Sequence, residues 1–169
     1  MPDPLMIGVI GPSQCSERHA ALARTVGMGL TRRGAVIVVG SLQGVSLAAA
    51  AAAAEAGGQV VHLAPGLDRP APVAGIHSLP TGLGELCNGL IVRASDALVS
   101  IGGGWGTLLE IAFAMRTDTP VVMLEGWRVR DARGERLDGP AEADTADAAV
   151  MEAYGRAAAR VALGAARLP

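Results

Sequence analysis

The chain has 169 residues and a formal net charge of −2, and half of its residues are hydrophobic although only 2% are aromatic. An aliphatic core of this kind is typical of a parallel α/β sheet that is buried on both faces, and the small net charge provides no field that would attract nucleic acid. All 14 basic residues are arginines, which excludes a Schiff-base mechanism and a Walker-type phosphate loop.

Apolar runs alternate along the chain with helical segments, and turn residues separate them. Strands alternating with helices at this spacing predict right-handed βαβ crossovers and a parallel sheet. The predicted strands cover residues 5–10, 35–39, 59–63, 75–79, 96–101 and 120–124, the predicted helices cover 16–33, 45–56, 85–95, 108–116 and 145–163, and 127–137 is predicted to be a polar hairpin or lid.

We therefore predict one α/β domain over residues 1–169, with a Rossmann-like open parallel sheet and helices on both faces. The first apolar run, Leu5 to Ile10, has no basic segment before it, so it is interpreted as a strand rather than a signal peptide. The alanine-rich run Leu47 to Ala54 is too short to span a bilayer. A cytoplasmic protein with no membrane partner is expected.

Three predicted strands end in turns that contain glycine. Ligands of open parallel sheets bind at the carboxyl ends of the strands, where the strand order changes direction. We therefore expect the three turns to form one pocket. The turn residues predicted to bind a ligand are Gly11, Pro12 and Ser13 after the first strand, Gly40, Ser41 and Gly44 after the second, and Gly102, Gly103, Gly104, Trp105 and Gly106 after the fifth.

The turn at residues 102–106 leads into a helix that is predicted to begin near Thr107. The first N–H groups of a helix have no partner within it, and its dipole favours negative charge, so a phosphate is the expected ligand. Trp105 either stacks on a base or only covers the loop. Thr107 and Glu110 either contribute to the site or form a capping box that needs no ligand.

The motif Gly103-Gly104-Trp105-Gly106-Thr107-x-x-Glu110 resembles that of the lysine-decarboxylase-labelled, cytokinin-activating phosphoribohydrolases of the SLOG superfamily. The segments 7–13 and 95–110 resemble most the branch that contains the molybdenum-cofactor carrier proteins. This resemblance implies a nucleotide, or a nucleotide-like ligand such as the molybdenum cofactor, and no cofactor for catalysis. Cys15, Cys87 and the three histidines lack the spacing of metal ligands, so no metal site is expected.

In the resembling enzymes, an Arg-Lys pair precedes the motif strand, and its Arg works with the motif Glu. The corresponding residues here are Cys87 and Asn88. Asn88 fits the carrier branch, which usually has Arg-Asn, and the resemblance therefore implies that Asn88 binds the ligand. Cleavage of an N-glycosidic bond develops positive charge on the sugar, which a carboxylate such as Glu110 stabilises.

Without the Arg, a binding protein, either a carrier or a sensor, is the first hypothesis. The alternative is a nucleoside 5′-monophosphate phosphoribohydrolase that uses Glu110, and a weaker third hypothesis is an assembly module with a vestigial pocket.

The helix predicted at residues 108–116 is apolar nearly all round. One stripe can cover the sheet, whereas Leu109 and Phe113, spaced i and i+4, need another partner. The resembling family forms dimers through helices near its sites. We therefore expect a homodimer or a dimer of dimers that binds a phosphate-bearing small molecule and no nucleic acid.

Overall fold

The structure, a computed structural model, describes residues 3–135 and 139–165 and contains a seven-stranded sheet in the order β4-β3-β2-β1-β5-β6-β7. Every neighbouring pair of these strands is parallel. The strands are β1 (Met6–Ile10), β2 (Val36–Val39), β3 (Val60–Ala64), β4 (Ile76–Pro80), β5 (Ala97–Ile101), β6 (Val121–Leu124) and β7 (Ala141–Glu142). The helices are α1 (Glu17–Thr31), α2 (Gly44–Glu55), α3 (Cys87–Ala94), α4 (Trp105–Arg116) and α5 (Ala146–Ala165).

Helices cover both faces of the sheet, so the predicted Rossmann-like α/β fold is confirmed. Helices α1, α2 and α5 pack on one face, where their Ala and Val residues form one buried cluster with alternate strand residues. Helices α3 and α4 cover the other face, where a second cluster includes Ile91, Leu98 and Met123. Both faces of the central strands are therefore buried, which explains their nearly continuous apolar sequences.

The predicted elements are found with bounds that shift by a few residues. Helix α1 begins after Ser16, whose Oγ accepts a hydrogen bond from the N–H of His19 at 3.2 Å, as its sequence predicts. The predicted third helix begins instead as a 3-10 turn, Gly84–Leu86, that continues into α3. Strand β7 was not predicted, because two residues carry no periodic signal.

The segment after β6 contains a tight turn, and Arg130 just before this turn forms a β-bridge. Asp131 closes a tight turn there, since its N–H donates to the carbonyl of Glu135 at 2.9 Å and its carbonyl accepts from Gly134 at 3.0 Å. Arg136 and Leu137, the end of the predicted hairpin or lid, lie outside the described residues. In the part of the chain that the structure describes, no helix is both long and apolar enough to cross a membrane.

Strand order reverses beside β1. The chain moves from β1 through β2 and β3 to β4 in one direction, and then returns to place β5 on the other side of β1. The turns that follow β1 and β5 therefore separate at their carboxyl ends and leave a crevice between them. This crevice positions the candidate site.

Candidate functional site

A cavity of about 540 Å³ opens at the carboxyl ends of the central strands, within the size range of small-molecule sites. The three predicted glycine turns meet there, as the rule for parallel sheets leads one to expect. The residues that were predicted from sequence and line the cavity are Gly11, Pro12, Ser13, Gly40, Ser41, Asn88, Gly104, Trp105, Gly106, Thr107 and Glu110.

Three of the predicted glycines do not line this cavity, because close contacts with the rest of the fold occupy them. Gly44 has a φ of +50°, and a Cβ placed on it would lie 2.2 Å from the carbonyl oxygen of Pro12. A Cβ on Gly102 would lie 2.8 Å from the ring of His19, and one on Gly103 would lie 2.7 Å from Nε1 of Trp127. These close contacts favour glycine at the three positions, and a contact of Gly44, Gly102 or Gly103 with a ligand stays a prediction.

The helices that begin at the cavity lack side-chain caps, whereas two helices that begin elsewhere have them. Ser16 caps α1, and Thr145 Oγ1 accepts from an N–H in the first turn of α5 at 3.1 Å. Helices α2 and α4 begin at Gln43 and Gly104 with no side-chain hydrogen bond to their first turns. The first N–H groups of these two helices are therefore free of side-chain partners at the edge of the cavity.

Helix α4 begins at Trp105, three residues before the predicted range 108–116. Its first intrahelical bond runs from the N–H of Leu108 to the carbonyl of Gly104 at 2.9 Å. Thr107 is thus a buried residue of the first turn rather than the cap, and Glu110 lies one turn further on. The capping-box interpretation is wrong, since Gly104 occupies the cap position.

Glu110 is buried without a partner for its charge. Its side chain lines the cavity, is only 7% exposed, and makes no hydrogen bond or ion pair with another described residue. Burial raises the pKa of Glu110 to about 8, because a carboxylate removed from water without a compensating donor is unfavourable. No Arg or His of residues 3–135 and 139–165 lines the cavity.

Cys87 and Asn88 begin α3 and also line the cavity. The thiol of Cys87 donates to the carbonyl of Leu63 at 3.0 Å and is 2% exposed, and burial raises its pKa. A buried, protonated thiol is a poor nucleophile and does not replace the cation of the resembling enzymes. Arg93 lies in the last turn of α3, is exposed and does not line the cavity.

Sequence reasoning missed the role of Trp127. Its Nε1 donates to the carbonyl of Gly104 at 3.2 Å, and its ring lies 5.6 Å from that of Trp105 at an interplanar angle of 35°. The sequence contained one indication of this contact, because Trp127 lies three residues after β6 and therefore at the same edge of the sheet. Ser46, Pro65, Gly84 and Glu85 also line the cavity without having been predicted.

The chain is similar to one protein family along most of its length, and to several solved structures. The family model of the SLOG cluster4 family matches residues 4–159. An uncharacterized protein of Archaeoglobus fulgidus is 38% identical over 141 residues, which cover 79% of this chain and 93% of that protein. The molybdenum cofactor binding protein of Rippkaea orientalis is 23% identical with a TM-score of 0.78, over 90% of this chain and 97% of that one. The molybdenum cofactor carrier protein of Chlamydomonas reinhardtii is 25% identical with a TM-score of 0.77, over 92% and 99% of the two chains.

A more distant structural relative is the single-stranded-DNA-binding DNA processing protein A of Helicobacter pylori. It is 22% identical with a TM-score of 0.60, over 90% of this chain and 74% of that one. At this identity the likeness extends to the fold alone, so the absence of a nucleic-acid partner stays a prediction.

Proposed function

This chain belongs to the SLOG cluster4 family, and we propose that it binds a phosphate-bearing nucleotide or nucleotide-like cofactor, as a carrier or sensor. The observation that carries this proposal is the cavity itself. Two uncapped helix N-termini, of α2 and α4, open at its edge, and such ends are natural anion sites. A phosphate there would accept from the N–H groups at the start of α4, whereas at the start of α2 the N–H of Val45 already donates to the carbonyl of Pro12 at 3.3 Å.

The phosphate is proposed to lie over the first turn of α4. The N–H groups of Trp105, Gly106 and Thr107 precede the first intrahelical bond, so they are available to a ligand. The hydroxyls of Ser13 and Ser41 line the same cavity and add neutral donors. Backbone and hydroxyl donors therefore replace the arginine or lysine that many phosphate sites use.

Trp105 supplies a surface for a planar ring. Its side chain lines the cavity and is 80% exposed, and its ring lies 5.6 Å from that of Trp127. Aromatic side chains in such positions stack on heterocycles. The pterin of the molybdenum cofactor and the base of a nucleotide both fit this description, and the structural likeness to carrier proteins of that cofactor makes it our preferred ligand.

The charge states of the residues that line the cavity argue against the alternative hypothesis, that the protein is a phosphoribohydrolase. An oxocarbenium-like transition state needs an ionised carboxylate, whereas Glu110 with a pKa of about 8 holds its proton at neutral pH. Cys87 is buried where the resembling enzymes have their Arg. We propose that hydrolysis is weak or absent.

We further propose that the protein is a homodimer or a dimer of dimers through the outer face of α3 and α4. Leu90, Leu109 and Phe113 expose large apolar side chains on these two helices, and Leu86 does so at the end of the 3-10 turn before α3. Apolar patches of this kind typically mark interfaces. The position of α4, which also borders the cavity, would place the interface near the ligand.

Ligand binding can be followed by intrinsic fluorescence, because Trp105 and Trp127 are the only two tryptophans in the chain. We would titrate the protein with the four common nucleoside monophosphates and with molybdenum cofactor, with adenosine as the control that lacks a phosphate and an oligothymidylate as the nucleic-acid control. We expect at least one phosphate-bearing ligand to quench fluorescence and adenosine to bind at least about tenfold more weakly. Chromatography of the same samples should detect little free base.

Two results would contradict the proposal. One is the absence of binding to every phosphate-bearing ligand of the panel at micromolar to millimolar concentrations. The other is release of free base at a rate typical of enzymes, on the order of 10 per second, which would restore the phosphoribohydrolase.

A further inference from the structure

The cavity combines the proposed anion site with acidic side chains, and no described Arg or His lines it. Its titratable lining residues among the described ones are Glu85 on the 3-10 turn, Cys87 on α3 and Glu110 on α4. Glu85 is exposed to solvent, whereas Glu110 and Cys87 are buried and close enough to influence each other electrostatically. Strands β1, β2, β5 and β6 contribute no titratable residue. An ionised Glu110 would therefore repel the phosphate without any neighbouring charge to offset it.

A buried carboxyl that lacks a partner in the protein has a donor to offer when it is protonated. The carboxylic acid form of Glu donates one O–H hydrogen bond, and the side chain of Glu110 lines the cavity without a hydrogen bond to another described residue. The position is also fixed, because Glu110 lies in the second turn of α4 on the face that includes the buried residues Thr107 and Ile111.

We propose that protonated Glu110 donates a hydrogen bond to an acceptor atom of the bound phosphate-bearing ligand, so that binding requires a neutral Glu110. This inference rests on the proposed function. It assigns to Glu110 the role of a specificity-determining donor, in place of the catalytic carboxylate of the resembling enzymes. The proton remains on the Glu110 oxygen in the complex. Where Glu110 is ionised in the free protein, ligand binding takes up one proton from solvent.

The proposal predicts a pH dependence whose sign follows from this proton. Glu110 in the free protein has a pKa of about 8, so below that value it is already protonated and the affinity is constant. One unit above it, about nine-tenths of the free protein is ionised, and the affinity should be about tenfold lower. Phosphate monoesters lose their second proton near pH 6, so a range from pH 7 to 9.5 isolates the protein group.

The experiment measures the dissociation constants of the four common nucleoside monophosphates and of molybdenum cofactor by calorimetry and fluorescence from pH 7 to 9.5. Calorimetry at pH 9 in two buffers of different ionisation enthalpy gives the proton uptake, which should be about 0.9 per ligand for the wild type. Glu110→Gln keeps a donor and cannot ionise, so its affinity should not vary with pH and should exceed that of the wild type at pH 9. At pH 7, Glu110→Ala should bind about three- to tenfold more weakly than Glu110→Gln.

Two controls test whether Glu110 itself is the group that titrates. Cys87→Ser removes the other buried titratable group among the described residues that line the cavity, and the midpoint near pH 8 should remain. Infrared difference spectra of the ligand-free protein between pH 7 and 9.5 should show the carbonyl band of a protonated carboxyl, and Glu110→Gln should lack this band. Circular dichroism at each pH verifies that the variants are folded.

The outcomes distinguish this inference from the proposed function. If a ligand binds with no change in affinity up to pH 9.5, or if Glu110→Gln retains the wild-type pH dependence, the inference fails and the proposed function stands. An infrared spectrum that shows Glu110 ionised at pH 7 overturns the inference independently of any ligand. If none of the five phosphate-bearing ligands binds at any pH, both proposals fail.

Discussion

Replacement of Gly104 by Val is the most direct perturbation of the proposed phosphate site. Gly104 has an extended backbone with a φ of −154°, which valine adopts readily, and a Cβ there would have only the Cβ of Pro12 nearby, at 3.8 Å. The new side chain therefore fits the protein and occupies space that belongs to the ligand. Loss of glycine at the cap position should cost about 1 kcal/mol of folding free energy, a decrease of about 2–4 °C in Tm for a chain of this size.

The effect on binding should be much larger than the effect on stability. Each hydrogen bond to a charged group contributes about 1.5–3 kcal/mol, so the loss of two of the N–H contacts at the start of α4 should weaken binding at least about 100-fold. Calorimetry with adenosine monophosphate and with molybdenum cofactor measures this change. Gly155→Val is the matched control, because Gly155 lies on α5 with open space around its Cβ position and outside the cavity. A folded Gly104→Val protein whose affinity stays within threefold of the wild type would refute the phosphate site.

The remaining predictions concern stability and assembly. Gly27→Ala should lower the free energy of unfolding by about 1–3 kcal/mol in urea titrations, because its Cβ would lie 2.3 Å from the carbonyl oxygen of Ala49. The matched Gly155→Ala should raise this free energy by about 0.5–1 kcal/mol, and equal effects of the two variants would contradict the reasoning. Because the pKa of Glu110 rises on folding from 4.5 to about 8, only the folded state holds this proton between those values. The wild type should therefore lose about 1.4 kcal/mol of unfolding free energy per pH unit across that range, and Glu110→Gln should not. Urea titrations in which the unfolding free energy of both proteins depends on pH in the same way would contradict this prediction. Phe113, 37% exposed on α4, is proposed to lie in the interface, so light scattering should give a smaller mass for Phe113→Asp than for the wild type, and a monomeric wild type at micromolar concentration would contradict it.

Local chemistry made much of the fold predictable from the sequence. Apolar runs that end in glycine turns placed the strands, and Ser16 marked the beginning of α1 through a hydrogen bond that spans only three residues. The parallel sheet then followed from the alternation of elements, and the common edge of the strands brought together turns that are 29 and 64 residues apart in sequence, at Gly11, Gly40 and Gly104. These features depend on short-range pattern and on general rules of topology.

The tertiary structure alone decided which of those residues face the cavity and with what charge. Gly102 and Gly103 belong to the same turn as Gly104, yet they pack against His19 and Trp127, which are distant in sequence. The hydrogen bond from Trp127 to the carbonyl of Gly104 joins the end of one strand to the beginning of α4, and no local motif specifies it. The pKa of Glu110 depends on its burial in the folded chain, because desolvation is a property of the whole surroundings of a group and not of its neighbours in sequence.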